Sequence, residues 1–172
     1  RLREPVWRLQ QAQAILLTRC ESVQREAMEG WLGWLAQQAP KVPVIRVHTV
    51  CEGLFDWQGR KLATARITGP VLAFSAIGRP SGFYSQLDGL GLRIGDRVEF
   101  RDHHRFTEAE LFDLATRAGK SGMITVCTEK DRCKIPEKWA EKMQIHVLRI
   151  RTIPVSGLTF TAELQRHGIS LI

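Results

Sequence analysis

The sequence predicts an α/β fold in which a mostly parallel sheet is joined by crossover helices, and three observations carry that expectation. Short runs rich in β-branched and aliphatic residues recur along the chain, separated by stretches long enough for one helix each. Those stretches place their apolar residues at helical rather than alternating spacing. A length of 172 residues with 44% apolar composition suits one ordinary domain, or a small domain with part of a neighbour, and excludes a disordered chain.

Taken in order, residues 3–13 show a weak helical period opened by Pro5, so a short helix is expected. Residues 14–18 form a brief apolar run of buried-strand length. Residues 21–39 read as a helix with Val23, Ala27, Trp31, Trp34 and Leu35 on its buried face, ended by Pro40. Residues 42–50 are a second strand by their β-branched content. From 51 to 69 the character changes, because Gly53, Asp56 and Gly59 punctuate an alternating Leu54-Phe55-Asp56-Trp57, and a two-stranded connector is expected. The pattern then resets: strand 71–77, helix 81–90, strand 96–100, helix 107–118, strand 123–127, a partly helical 129–143, strand 146–150 and a closing helix 160–167.

The net charge of +7 is spread along the chain rather than gathered in a tail. Such a field favours anionic partners, whether phosphorylated small molecules, acidic lipid headgroups or nucleic acid. No apolar run approaches the roughly 20 residues that cross a bilayer. The four cysteines lack any C-x-x-C spacing, which suits reduced thiols in a cytosolic protein. The first residue is Arg and the opening segment is amphipathic, so the chain reads as starting inside a longer protein.

In sheets of this class ligands approach the carboxyl ends of the strands, and three loops there hold chemistry. Gly78-Arg79-Pro80-Ser81-Gly82 leads into a helix whose free backbone N–H groups could hold an anion, although by itself it is better explained as the punctuation any strand-to-helix turn needs. Asp102-His103-His104-Arg105-Phe106-Thr107 ends in a capping residue, with Glu110 completing a capping box. Capping does not require the Asp and two His, and an Asp beside a His can orient the ring and stabilise its cation for proton transfer. Thr128-Glu129-Lys130-Asp131 packs a hydroxyl, two carboxylates and an ammonium into a strand end, with helix-start chemistry as the competing account. Arg3-Glu4 by itself is an exposed charge pair.

In this order, Leu2-Arg3-Glu4-Pro5, Ile77-Gly78-Arg79-Pro80 with Phe83, the Asp102-His103-His104 block and Thr128-Glu129-Lys130-Asp131 with Lys134 resemble the carboxyl-terminal half of the tetraacyldisaccharide 4'-kinase family of lipid A biosynthesis. The resemblance covers nearly the whole chain. It implies a two-domain P-loop-type kinase that moves the γ-phosphoryl of ATP to the 4'-hydroxyl of an acylated glucosamine disaccharide 1-phosphate. Residues 1–50 would end the nucleotide-binding domain, 51–69 would form a β-stranded hinge, and 70–172 would be the carboxyl-terminal α/β domain.

By the same resemblance His103 is the catalytic helper of an acid outside this sequence, Asp102 orients it, and Glu4 orders the centre. Arg3, His104, Thr128, Glu129, Lys130 and Asp131 fall to substrate binding or to shaping the site. No G-x-x-x-x-G-K-[ST] occurs in the 172 residues, so ATP and Mg²⁺ are expected to be bound mainly by the other half, and the chain alone is not expected to be an active kinase. Ala76 and Arg79, where the family pattern has Gly and Asn, and Arg132-Cys133 are departures. The implied location is peripheral, on the anionic cytoplasmic face of the bacterial inner membrane, with no nucleic acid partner. The competing class is a non-catalytic α/β module for phosphorylated ligands or nucleic acid.

Overall fold

The computed structural model describes residues 3–170 and divides into two compact units, one from the described parts of 1–50 and 151–172, the other from Cys51–Ile150. In the first unit a 3-10 turn, Val6–Gln11, follows Pro5, and β1 (Ile15–Leu17) lies parallel to the start of β2 (Val44–Phe55), with Ile15 opposite Val44. α1 (Arg25–Gln38) buries Met28 and Leu35, seven residues apart and therefore on one face. The helix starts later than its apolar spacing implies, because Arg19 takes a left-handed φ of 61° and Cys20–Ser22 form a separate 3-10 turn. The expectation of two buried tryptophans on this helix is corrected too. Trp31 is 55% exposed and meets the partly buried Trp34 edge-on at 5.8 Å. Trp31 flanks the Met28–Leu35 seam rather than lying in it. α6 (Phe160–Arg166) closes the unit, capped by the Thr159 side chain.

The second unit contains β3 (Val71–Ser75), α2 (Ser81–Gly89), β4 (Ile94–Glu99), α3 (Glu108–Lys120), β5 (Ile124–Thr128), α4 (Glu129–Arg132), α5 (Glu137–Met143) and the first part of β6 (His146–Pro154). Its strands lie in the order β6-β5-β3-β4 and every pair is parallel. All five residues of β3 are buried, the four apolar ones and then Ser75, as a strand between two helical layers requires. Leu72 and Phe74 join α3 and α5 in one core cluster, while Val71 and Ala73 join α2 in the other. β4, at the sheet edge, instead alternates between half-buried and exposed residues.

The connector is less sheet-like than its alternation suggests. β2 itself runs on to Phe55, and among the described residues a single isolated antiparallel bridge, Phe55 to Lys61, answers it in the connector. A turn closes the bridge: the Arg60 N–H donates to Asp56 Oδ1 at 2.8 Å and Arg60 Nε to Oδ2 at 2.6 Å, while Gly59 supplies a φ of 87°. Farther on, Thr64–Arg66 is a 3-10 turn rather than a strand.

The topology places the site. From β3 the chain crosses to β4 through α2, whereas from β5 it crosses to β6 on the opposite side through α4 and α5. Adjacent strands β3 and β5 thus send their connections apart, the switch point at which sheets of this class receive ligands.

Candidate functional site

Three loops meet at that edge of the sheet, and the peptide of Ala76 joins them. Its N–H donates to Asp131 Oδ2 at 3.2 Å, and its carbonyl accepts from the His103 N–H at 3.3 Å and from Lys134 Nζ at 3.2 Å. Asp131 is fully buried. Its carboxylate also accepts the Thr128 hydroxyl at 2.7 Å and Lys134 Nζ at 3.1 Å, while its own N–H donates to Thr128 Oγ1 at 3.2 Å. A buried carboxylate needs this many partners, since an unpaired one would cost several kcal/mol. Asp131 therefore presents nothing to a ligand; it fixes where β3 ends and where the loop after β4 begins.

Gly78 and Asp102 are in close approach. A Cβ at position 78 would lie 2.8 Å from Asp102 Oδ2, so a larger residue there would displace the carboxylate. The next residue, His103, takes a left-handed φ of 62°, which histidine tolerates better than β-branched residues do. That turn projects its ring outward: the side chain is 91% exposed, with Nε2 3.8 Å from Asp102 Oδ2.

His104 goes the other way. Its ring stacks on Phe100 at 5.0 Å and meets Phe106 edge-on, and Nε2 lies 3.0 Å from both oxygens of Glu110. Glu110 is also the acid of the Thr107 capping box. The Thr107 backbone N–H first, and then His104, hold its carboxyl down to about 2. Two histidines adjacent in sequence are thus divided into one presented and one packed, and the packed ring of His104 has its Nε2 taken up by Glu110.

Of the other candidates, Glu129 is exposed and pairs with Arg149 Nε at 3.4 Å, and Lys130 is exposed. Arg3 and Glu4 are exposed in the first unit, where Glu4 lies 3.8 Å from Arg8 Nε. Sequence reasoning assigned no role to Ala76 or Lys134. The spacing of Lys134, three residues after Asp131, was a usable signal; Ala76 acts through main-chain atoms and left none. Among the described residues no three His, Cys, Asp or Glu side chains gather so as to hold a metal ion.

An exposed Asp-His pair thus lies at the switch point of a parallel sheet, where α/β proteins of this class receive their ligands. The family is more specific. The model of the tetraacyldisaccharide-1-P 4'-kinase family matches residues 1–167, and the chain belongs to that family. It is 30% identical to the tetraacyldisaccharide 4'-kinase of Elusimicrobium minutum, over 87% of this chain and 40% of that protein. It is also 30% identical to the one from Chlorobaculum tepidum, over 100% of this chain and 48% of that protein. The crystal structure of LpxK from Aquifex aeolicus in complex with ATP shares the fold, with a TM-score of 0.60 at 19% identity over 96% of this chain and 44% of that one. The chain thus spans less than half the length of these relatives.

Proposed function

We propose that this chain supplies the carboxyl-terminal α/β domain of a tetraacyldisaccharide 4'-kinase. The reaction moves the γ-phosphoryl of ATP to the 4'-hydroxyl of an acylated glucosamine disaccharide 1-phosphate, so the hydroxyl oxygen forms the new bond to phosphorus and ADP departs. The supporting observation is the junction at Ala76, which ties the loops after β3, β4 and β5 together and leaves His103 projecting beside Asp102. His103 assists removal of the hydroxyl proton, and Asp102 orients the ring and stabilises its cation. Thr128, Asp131 and Lys134 hold the loops, and His104 packs the base of the histidine loop. Arg3, Glu4, Glu129 and Lys130 are carried as contacts to substrate or to the site's border.

Residues 1–50 are assigned to the end of the nucleotide-binding domain, 51–69 to a hinge and 70–172 to the carboxyl-terminal domain, although the described residues after Ile150 group with the first compact unit. ATP and Mg²⁺ are both assigned mainly to residues outside this sequence, which holds no G-x-x-x-x-G-K-[ST]. When bound, the metal would neutralise phosphate charge. Among the described residues no helix is long and apolar enough to cross a membrane. With a net charge of +7, peripheral attachment to the anionic cytoplasmic face of the inner membrane follows as part of the proposal. Nucleic acid is disfavoured although Trp31 is exposed, because α1 carries Arg25 alone against Glu26 and Glu29.

The test is mutagenesis of the histidine pair in a full-length kinase carrying this segment. His103→Ala is expected to lower kcat on the order of 10²- to 10⁴-fold with little change in KM for ATP, and His104→Ala to cost less. A kcat within about threefold of the parent for His103→Ala, or equal effects at both positions, rejects the assignment. The 172-residue chain alone should neither hydrolyse ATP nor transfer phosphate, and metal-dependent transfer by it would overturn the division of labour.

A further inference from the structure

α4 is gripped at two neighbouring residues. Asp131 bonds the Ala76 peptide, and the next residue, Arg132, reaches the connector instead. Arg132 departs from the family pattern, so the resemblance gives it no role. Its contacts are nevertheless specific: Nη2 donates to the Trp57 carbonyl at 2.8 Å, and the guanidinium lies 5.0 Å from the centre of the Trp57 ring. A planar guanidinium stacks with its face while donating from its edge, a combination closed to a lysine ammonium. Trp57 is itself seated, packed against the core cluster that joins Leu72 and Phe74 of β3 to α3 and α5.

The connector turn is a firm object to hold. Asp56 accepts the N–H and the Nε of Arg60, and its own N–H donates to the Arg60 carbonyl at 2.9 Å. A second arginine reaches the same turn. The Arg149 guanidinium covers the Phe55 ring at 4.3 Å and pairs with Glu129, at the start of α4, at 3.4 Å. Its Nε makes no well-formed hydrogen bond, so Arg132 is the firmer tie. Both guanidiniums are stacked and paired within the chain, which suits a tie between segments rather than a contact to a ligand. All of these residues lie in the second unit.

A helix of four residues has no stability of its own, so the place of α4 is set by its anchors. Asp131 and Arg132 are consecutive, and a shift at Trp57 is therefore carried to Asp131 and Lys134. These two hold the N–H and the carbonyl of Ala76, and that carbonyl receives the His103 N–H. We propose that Arg132 is a positioning residue of the site: by clasping Trp57 it seats α4 against the connector turn, and through Asp131, Lys134 and the Ala76 peptide it fixes the His103 loop. Its effect on catalysis rests on the kinase reading, whereas its effect on the loop does not.

The experiment has two arms. In the 172-residue protein, Arg132→Ala should shift the amide resonances of Ala76 and His103 and speed their hydrogen exchange about 2- to 30-fold. Arg132→Lys, which keeps the charge but cannot stack and donate together, should fall between that variant and the parent. Arg117→Ala, which breaks an arginine pair with Asp96 elsewhere in the unit, should leave both amides in place. In a full-length kinase carrying this segment, Arg132→Ala should lower kcat about 2- to 30-fold with KM for ATP unchanged, Arg132→Lys should recover part of the loss, and Arg117→Ala should keep the parent kcat. The proposal is overturned if Arg132→Ala leaves the two amides as in the parent, if Arg117→Ala moves them equally, or if kcat falls equally in both variants. Shifted amides in Arg132→Ala beside an unaffected kcat in His103→Ala would defeat the catalytic role of His103 and keep the clasp; unmoved amides beside an impaired His103→Ala would defeat the clasp alone.

Discussion

Two helix starts in the second unit carry the same punctuation, a threonine followed three residues later by an acid, and they end in opposite environments. At α3, Glu110 is long enough to curl back, so its carboxylate accepts the Thr107 N–H and hydroxyl at 2.8 Å each and stays at the surface beside His104. At α4, Asp131 is one methylene shorter. It takes the Thr128 hydroxyl at 2.7 Å and turns its other contacts inward, to Lys134 and the Ala76 N–H. The capping signal fixes that a helix begins; the reach of the acid and what lies beneath it decide whether the cap becomes part of the core.

The sharpest way to break this comparison is Asp131→Ala, which strands Lys134 and the Ala76 amide. A loss of about 3–5 kcal/mol in urea unfolding is expected, as for other broken buried pairs. A loss below about 1 kcal/mol would put Asp131 in the same class as an ordinary surface cap. Next come the two threonines. Thr107→Ala and Thr128→Ala should each cost about 0.5–2 kcal/mol, with Thr128 the larger because its hydroxyl also serves the buried carboxylate. Equal losses would mean that the inward contacts add nothing to the cap.

The smallest effect concerns pH. The Glu110 carboxyl sits at about 2 in the folded chain against an ordinary 4.5, so its contribution is complete above the ordinary value and is lost as pH falls from about 4.5 towards 2. Glu110→Gln should therefore lower stability near neutrality and flatten that part of the acid limb. An unchanged slope of unfolding free energy against pH in that window would show that another carboxylate carries it.

The order of strands and helices was legible because periodicity and punctuation are local properties of the chain. The apolar run within 71–77 announced a strand, realised as Val71–Ser75, and Pro40 marked the end of a helix. What stayed hidden depended on neighbours distant in sequence. Spacing put Trp31 on the apolar side of α1, but packing stops at the Met28–Leu35 seam. Cys51-Glu52-Gly53 looked like a break, yet β2 runs through it. His103 and His104 differ through a backbone torsion and a pair of aromatic neighbours that no single-residue preference encodes. Asp131 looked like an acid at a helix start, which is true and leaves out its burial.

Because the junction between the three loops runs through the amide and carbonyl of residue 76, its information is carried by the course of the chain and hardly by the identity of that side chain. Any small residue whose N–H and C=O point the same way would transmit it. Gly78 is its opposite, since there the absence of a side chain is itself the message. The same patch of surface is thus written in two alphabets, one that tolerates drift in spelling and one that does not.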